Sequence, residues 1–308
     1  MQVVYGHTHV PITARAAVVA IGNFDGVHRG HRALVSEAVV KGKALGRAPG
    51  AMVFEPYPRE YFQPNEQHFR LTPLKRKLAL FEKLGLKVAF VQHFDQHLAM
   101  LKADEFIERV LVAGLGVAHV VIGYDFYFGH KRGGNPELMV QAGEQLGFGV
   151  TVMPPVAESG EVFSSSSVRL HLAQGDVRGA AHMLGDNWRV GGKVVGGAKR
   201  GTGLGYPTAN VPMPKGTGLG HGIYAVRAHV DGAAHDAAAY LGTRPTFDDG
   251  MPVLEVFLFD FDGDLYGHEM EVEFVDFIRG DRKFHSADEL VAQMHEDVAR
   301  ARGILAEK

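Results

Sequence analysis

Residues 21–31 read Ile21-Gly22-Asn23-Phe24-Asp25-Gly26-Val27-His28-Arg29-Gly30-His31. The apolar run Ala17 to Ile21 leads into them, and Arg32 through Leu45 follows with helical character. Strand, tight loop and helix is the local reading. Gly22, Gly26 and Gly30 permit close backbone approach and unusual dihedral angles, so the loop can wrap a small ligand. Free N–H groups at a helix N-terminus attract phosphate, which makes an anion the expected ligand. His28 and His31 stand at i, i+3 and share one face of the first helical turn. Imidazoles there can donate hydrogen bonds to a phosphoryl group as charge builds on it. The plainer alternative is a glycine-rich turn with two surface histidines. The strand before, the helix after and the Phe24-Asp25-Gly26 turn weigh against it.

The rest of the composition sets the frame. The chain has 308 residues, 46% hydrophobic and 22% charged, which suits one or two ordinary domains with ample core. A net charge of −3 and a pI near 6.6 give no footprint for nucleic acid or an anionic membrane. Cysteine is absent, which excludes disulfides, thiolate catalysis and cysteine-ligated metal, and fits a cytoplasmic location. Met1 to Thr13 lacks the basic and apolar regions of a secretory signal. The longest apolar stretch, Val110 to Ile122, is broken by Gly114 and Gly116 and carries His119. It reads as a helix end plus a strand, not a membrane span. Small-molecule substrates are the expected partners, and nothing in the sequence speaks for or against self-association.

The first half alternates strand-like and helix-like segments. Strands are expected at Ala51–Phe54, Lys87–Val91, His119–Gly123 and Val150–Met153, and helices at Leu74–Leu84, Ala103–Val112 and Pro136–Leu146. Such alternation predicts βαβ units, a parallel sheet with helices on both faces and a ligand site beyond the carboxyl ends of the strands. Two further loops lie at comparable positions. Gly123-Tyr124-Asp125-Phe126-Tyr127-Phe128-Gly129 leads to the basic turn Lys131-Arg132-Gly133-Gly134. Asp125, Phe126 and Phe128 suit an aromatic ligand carrying phosphate, or else the aromatics cap an edge of the core. Ser164 to Ser167 with Arg169 opens a helix, where hydroxyls and a guanidinium can meet phosphate oxygens or serve only as cap and linker.

Near Gly185–Asn187 the character changes. After the short helix Asp176–Leu184, glycines cluster and strands are expected at Trp188–Val195, Ile223–Val230, Ala237–Leu241, Val253–Phe259 and Glu269–Phe277. In the last, Met270, Val272 and Phe274 face one way and Glu269, Glu271 and Glu273 the other. A small antiparallel barrel follows, closed by an amphipathic helix, Ser286 to Leu305, with Leu290, Met294, Val298 and Ile304 as its buried stripe. The expected domains are 1–185 and 186–308. Gly191 through Gly201, with Gly196, Lys199, Arg200 and Gly201, can cradle polyphosphate, yet no Walker A closure follows. Thr208 and Asn210, two apart, would share one strand face and a Mg²⁺. A hairpin-rich barrel with a flexible loop accounts for the bare pattern equally well. Asp260-Phe261-Asp262-Gly263-Asp264 opens like an EF-hand, but Leu265 stands where that loop needs glycine, so an Asp-Gly hairpin turn is expected.

The string Phe24 to His31 resembles the HxGH signature of nucleotidyltransferases, in the form seen in bacterial bifunctional riboflavin kinase/FAD synthetases. Gly192 to Asn210, ending Gly205-Tyr206-Pro207-Thr208-Ala209-Asn210, resembles the nucleotide loop of riboflavin kinases, and the likeness runs through Leu254-Glu255-Val256 and Ile278 to Phe284. The resemblance implies a Rossmann-like nucleotidyltransferase domain followed by an antiparallel barrel kinase. It implies ATP, riboflavin and FMN as substrates and Mg²⁺ as cofactor. His28 and His31 would stabilise the α-phosphoryl transition state. Gly22, Phe24, Asp25, Gly26, Ser165, Ser166 and Arg169 would bind the nucleotide, and Asp125, Phe126 and Phe128 the flavin. In the kinase, Gly196, Lys199, Arg200, Gly201 and Pro207 would bind nucleotide, Thr208 and Asn210 the metal, and Glu255 would be the base. Tyr57 departs from a common histidine, and Ser166 replaces a usual threonine. Alternatives are a related transferase with another phosphorylated acceptor, or a flavin-binding regulator without catalysis.

Overall fold

The computed structural model describes residues 1–196, 206–214, 216–243 and 252–307. Two compact units result: Met1–Gln67 with Thr72–Ser164, and His68–Leu71 with Ser165–Lys308.

The first unit is built on β1 (Gln2–Tyr5), β2 (Val18–Ile21), α1 (Arg29–Leu45), β3 (Pro49–Glu55), α2 (Pro58–Phe62), α3 (Leu74–Lys83) and β4 (Val88–His93). It continues through α4 (Gln96–Met100), α5 (Ala103–Glu105) with a π-helical extension (Phe106–Leu115), β5 (His119–Gly123), α6 (Pro136–Leu146) and β6 (Gly149–Met153). A small hairpin, β7 (Ala157–Glu158) and β8 (Glu161–Val162), ends it. The six larger strands form one sheet in the order β1-β4-β3-β2-β5-β6, and every neighbouring pair is parallel. Strand alternation sends Val19, Ile21, Met52, Phe90 and Val120 into one core, under Ile107, Leu111 and Met139. Val18, Ala20, Val53, Ala89 and Val121 enter the other, under Val35, Ala38 and Phe81. The sheet is therefore covered on both faces, as the alternation predicts. The order reverses beside β2, so the loop after β2 sits at the crevice where such sheets bind ligands.

The second unit begins with α7 (Ser165–Ala173) and α8 (Val177–Leu184). Its strands are β9 (Arg189–Lys193), β10 (Ala209–Pro212), β11 (Gly222–Val230), β12 (Ala233–Thr243), β13 (Pro252–Leu258) and β14 (Glu269–Arg279), and α9 (Ala287–Ala306) follows. The antiparallel order is β10-β13-β12-β11-β14-β9, and a bridge from Val195 to Asn210 brings the two ends together as a nearly closed barrel. Tyr224, Val226, Leu254, Val256, Val272 and Phe274 are buried in its interior. Helix α9 covers the outer face at Ala225, Ala238 and Val275 through Ala301 and Leu305.

Two expectations need correction. The Asp260–Asp264 turn is no hairpin, because β13 pairs with β10 and β12 while β14 pairs with β11 and β9. Its first acid, Asp260, is instead taken up by both terminal nitrogens of Arg302 at 2.8 Å. The fully buried residues of α9 are Asp297, Ala301 and Leu305, whereas Leu290 and Met294 are half-buried beside a cavity. The compact units part at Ser164, and α7 and α8 fall with the barrel, where α8 reaches β14 through Arg178 and Asp276 at 2.6 Å.

Candidate active sites

In the first unit, β2 ends at Ile21 and the chain turns sharply before α1. Phe24 has φ of 49°, Gly26 of 88° and Val27 of 46°, all in the left-handed region, where side chains other than glycine are strained. The turn brings His28 to the N-cap of α1, and its Nδ1 accepts a hydrogen bond from the His31 amide at 3.3 Å. The two rings stack with centroids 3.6 Å apart. Burial pulls the His28 pKa down to about 4. His31 lies well below its ordinary value, first through burial and then through the charges of His28 and Lys77. Both rings are thus neutral near pH 7. With Nδ1 of His28 accepting, its proton sits on Nε2, which is then a donor with a fixed tautomer.

Asp25 is 5% exposed and accepts from the Thr72 amide and the Tyr57 hydroxyl, both at 3.1 Å. Tyr57 accepts in turn from Lys77 Nζ at 2.8 Å. Sequence reading names neither Tyr57 nor Lys77 as a site residue. The available signal is Lys77 itself, a charge at the i+3 place of the apolar face formed by Leu74, Leu78 and Phe81.

The flavin candidates divide. Phe128 is buried in the core and stacks on Phe126 at 5.4 Å and against Phe106 at 5.6 Å. Asp125 is exposed, as are Tyr124 and Tyr127, and Arg132 lies over the Tyr127 ring at 4.8 Å. In the second unit, Ser165 and Ser166 open α7. Arg169 donates to the carbonyls of Phe69 at 2.9 Å and Ser165 at 3.3 Å.

The second unit also holds a cavity of about 640 Å³, walled by Tyr206, Thr208, Tyr240, Glu255, Phe257 and Arg279 on the barrel side and by Leu290, Met294 and Asp297 of α9. Strand register explains it. Asn210 pairs with Glu255, Glu255 with Tyr240, Tyr240 with Ile223 and Ile223 with Arg279. Residues directly opposite share a face, so one row crosses five strands on the outside of the barrel. Buried Asp297 fixes the helix to that row through Arg279, with Nη2 to Oδ2 at 2.7 Å and Nε to Oδ1 at 2.9 Å. Tyr206 reaches His295 of α9 at 2.7 Å. Gly196 and Pro207 are exposed, and Lys199, Arg200 and Gly201 lie outside the described residues. Thr208, Asn210 and Glu255 offer only oxygen donors, which fits a hard cation. Among the described residues no group of three His, Cys, Asp or Glu could hold a metal. A cation here would rely on few protein oxygens plus phosphate and water, the habit of Mg²⁺.

A family model described as FAD synthetase matches residues 11–167, and one described as riboflavin kinase matches residues 184–305. The bifunctional riboflavin kinase/FMN adenylyltransferase of Pseudomonas fluorescens is 39% identical over 99% of this chain and 98% of its own. The chain belongs to the bifunctional riboflavin kinase/FMN adenylyltransferase family. Members from Haemophilus influenzae and Bacillus subtilis are 37% and 33% identical, each over 98% of this chain and 98% and 96% of their own. A solved structure described as a macrolide-efflux protein from Streptococcus pneumoniae superposes with a TM-score of 0.84 at 28% identity, over 98% of this chain and 99% of that one. That likeness is one of architecture. No described helix here is long and apolar enough to cross a membrane.

Proposed function

We propose that the chain makes FAD from riboflavin in two ATP-dependent steps, one in each half. The observation that carries the reading is a complete motif set on each side of the chain: the stacked, neutral His28–His31 pair behind a strand-to-helix turn, and the Thr208–Glu255 cavity on the barrel. Neither a transferase for another acceptor nor a silent flavin regulator accounts for both.

In the kinase step, the riboflavin 5′-hydroxyl attacks the γ-phosphorus of ATP, Glu255 takes its proton and ADP leaves. Mg²⁺, held by Thr208 and Asn210, would neutralise charge on the phosphates when bound. In the second step, a phosphate oxygen of FMN attacks the α-phosphorus of ATP and pyrophosphate leaves. His28, with Nε2–H turned outward by its tautomer, and His31 donate to the phosphoryl oxygens as charge gathers there. Gly22, Phe24, Asp25 and Gly26 shape the turn, and Ser165, Ser166 and Arg169 are assigned to the ATP phosphates. Asp125, Phe126 and Phe128 are assigned to the flavin, with Phe126 the half-buried ring and Phe128 its support. The substrates are small molecules, and the proposed location is the cytoplasm.

Product patterns test the division. His28→Ala should carry riboflavin to FMN and stop. Glu255→Gln should leave riboflavin untouched yet convert supplied FMN to FAD. FAD from riboflavin in either variant at the wild-type rate would contradict the assignment.

A further inference from the structure

Lys77 is 0% exposed, the only lysine among the described residues to be fully buried. It sits on α3, and its Nζ donates to the Asn23 carbonyl at 2.6 Å and to the Tyr57 hydroxyl at 2.8 Å. The same ammonium lies 4.4 Å from the centroid of the Tyr57 ring. Tyr57 passes the interaction on to Asp25 at 3.1 Å. One helical turn further along the same face of α3, Phe81 meets Phe24 edge-on at 5.3 Å, and Phe24 meets the His31 ring at 5.2 Å. Two side chains of one helix thus grip the start of the turn. One takes its backbone carbonyl and the other its first buried ring.

We infer that Lys77 is a positioning residue for adenylyl transfer, holding the Asn23–Val27 turn in the left-handed conformation that aims His28 and His31. This rests on the reading of those histidines as the adenylyl-transfer pair. Packing alone does not call for a lysine at this place. Methionine has nearly the same length and would fill the space without carrying a charge out of water, which is costly unless the charge is well partnered. What methionine cannot do is tie Asn23 to Tyr57 and Asp25. The turn holds Phe24 and Val27 at positive φ, so it needs outside contacts to stay as it is. Without the tie, the turn relaxes toward ordinary dihedral angles and the cap residue His28 moves with it. A misplacement of about 1 Å can cost on the order of 100-fold in rate.

The test uses the full-length chain with Lys77→Met and, separately, Tyr57→Phe. Single-turnover FAD formation is followed with saturating FMN and limiting ATP labelled at the α-phosphate. Lys77→Met should lower the rate constant about 10- to 100-fold with full amplitude, while KM for FMN and riboflavin phosphorylation stay as in the wild type. Tyr57→Phe, which removes one oxygen and keeps the ring, should give a smaller fall in the same constant. A wild-type rate constant with reduced amplitude would mean that Lys77 only supports folding, and would overturn the inference. So would unchanged kinetics in both variants. Should Lys77→Met fail to fold, Tyr57→Phe decides by itself, and a wild-type rate constant there overturns it. Absence of FAD formation by the wild-type chain would instead refute the reading of the histidine pair.

Discussion

His28 and His31 stack face to face at 3.6 Å, and Gly30, one of the two residues between them, leaves room for the His28 ring. A Cβ on Gly30 would stand 3.1 Å from the His28 ring and 3.1 Å from the Phe163 carbonyl. The ring can swing away from such an intrusion, and the carbonyl cannot. Gly30→Ala should therefore push His28 out of register and slow FAD formation from FMN by about 10- to 100-fold. Riboflavin phosphorylation by the same sample should not change. An alanine variant with wild-type FAD synthesis would show that the stack is not the working arrangement.

Removing a donor is more severe than moving it. His28→Ala should cost roughly 10²–10³ in the rate of FAD formation, and Glu255→Gln roughly 10²–10⁴ in riboflavin phosphorylation. Steady-state rates on FMN and on riboflavin, measured separately, check both.

Acid should act on the histidine pair late. The His28 pKa is pulled from the ordinary 6.5 down to about 4 by burial, so kcat/KM for FAD formation should stay level from pH 7 toward 5. It should fall as pH nears 4, where a protonated Nδ1 can no longer accept from His31. Stability follows the same sign. Between pH 6.5 and about 4 the unfolded chain binds a proton at His28 that the folded chain does not, so the first unit loses stability as pH drops through that window. An inflection in the rate near 6.5 would contradict the buried, neutral pair.

Much of this arrangement is legible in the sequence, and for definite reasons. The buried parallel strands read as short apolar runs, and the Gly22–His31 string announces its own turn. Strand β1 escapes because four residues, with Tyr5 72% exposed, carry too little pattern. Strand β10 is anticipated only through the spacing of Thr208 and Asn210, because proline and glycine surround it. Lys77 shows in the sequence only as a charge on the apolar face of α3, and its role with Tyr57 depends on where α3 and the segment after β3 come to rest. Phe128 shows the converse. Its motif points to a ligand, while its burial with Phe106 arises from packing that no local pattern records. The kinase cavity is half legible. Thr208 and Glu255 come from motifs, but Arg279 and Asp297 join them only through register and the docking of α9.

That docking gives a stability prediction. Asp297→Ala would leave the Arg279 guanidinium without its bidentate partner beside the cavity. A broken buried pair typically costs about 3–5 kcal/mol. Arg279 keeps some solvent access, with a side chain 22% exposed, so the lower end is expected. Thermal melts should show the loss, riboflavin phosphorylation should fall and FMN should still be adenylylated. A variant with unchanged melting would show that α9 is held by its apolar contacts alone.

Division of the chain can be tested with fragments. We propose that the kinase half works by itself. The helices before it contribute to the fold, through Arg178 with Asp276 at 2.6 Å and the Gly220 amide on the Leu172 carbonyl at 2.8 Å. Residues 165–308 should therefore melt at least about 4 °C above residues 187–308, and both should yield FMN and no FAD. Equal melting temperatures would place α7 and α8 outside the kinase fold.

The most direct test of two catalysts on one chain is a single incubation of the wild-type protein with riboflavin, ATP and Mg²⁺, with the flavins separated by chromatography over time. FMN should appear first and FAD follow, with ADP and pyrophosphate released in step. FMN that never proceeds to FAD would contradict the adenylyltransferase half, and untouched riboflavin would contradict the kinase half.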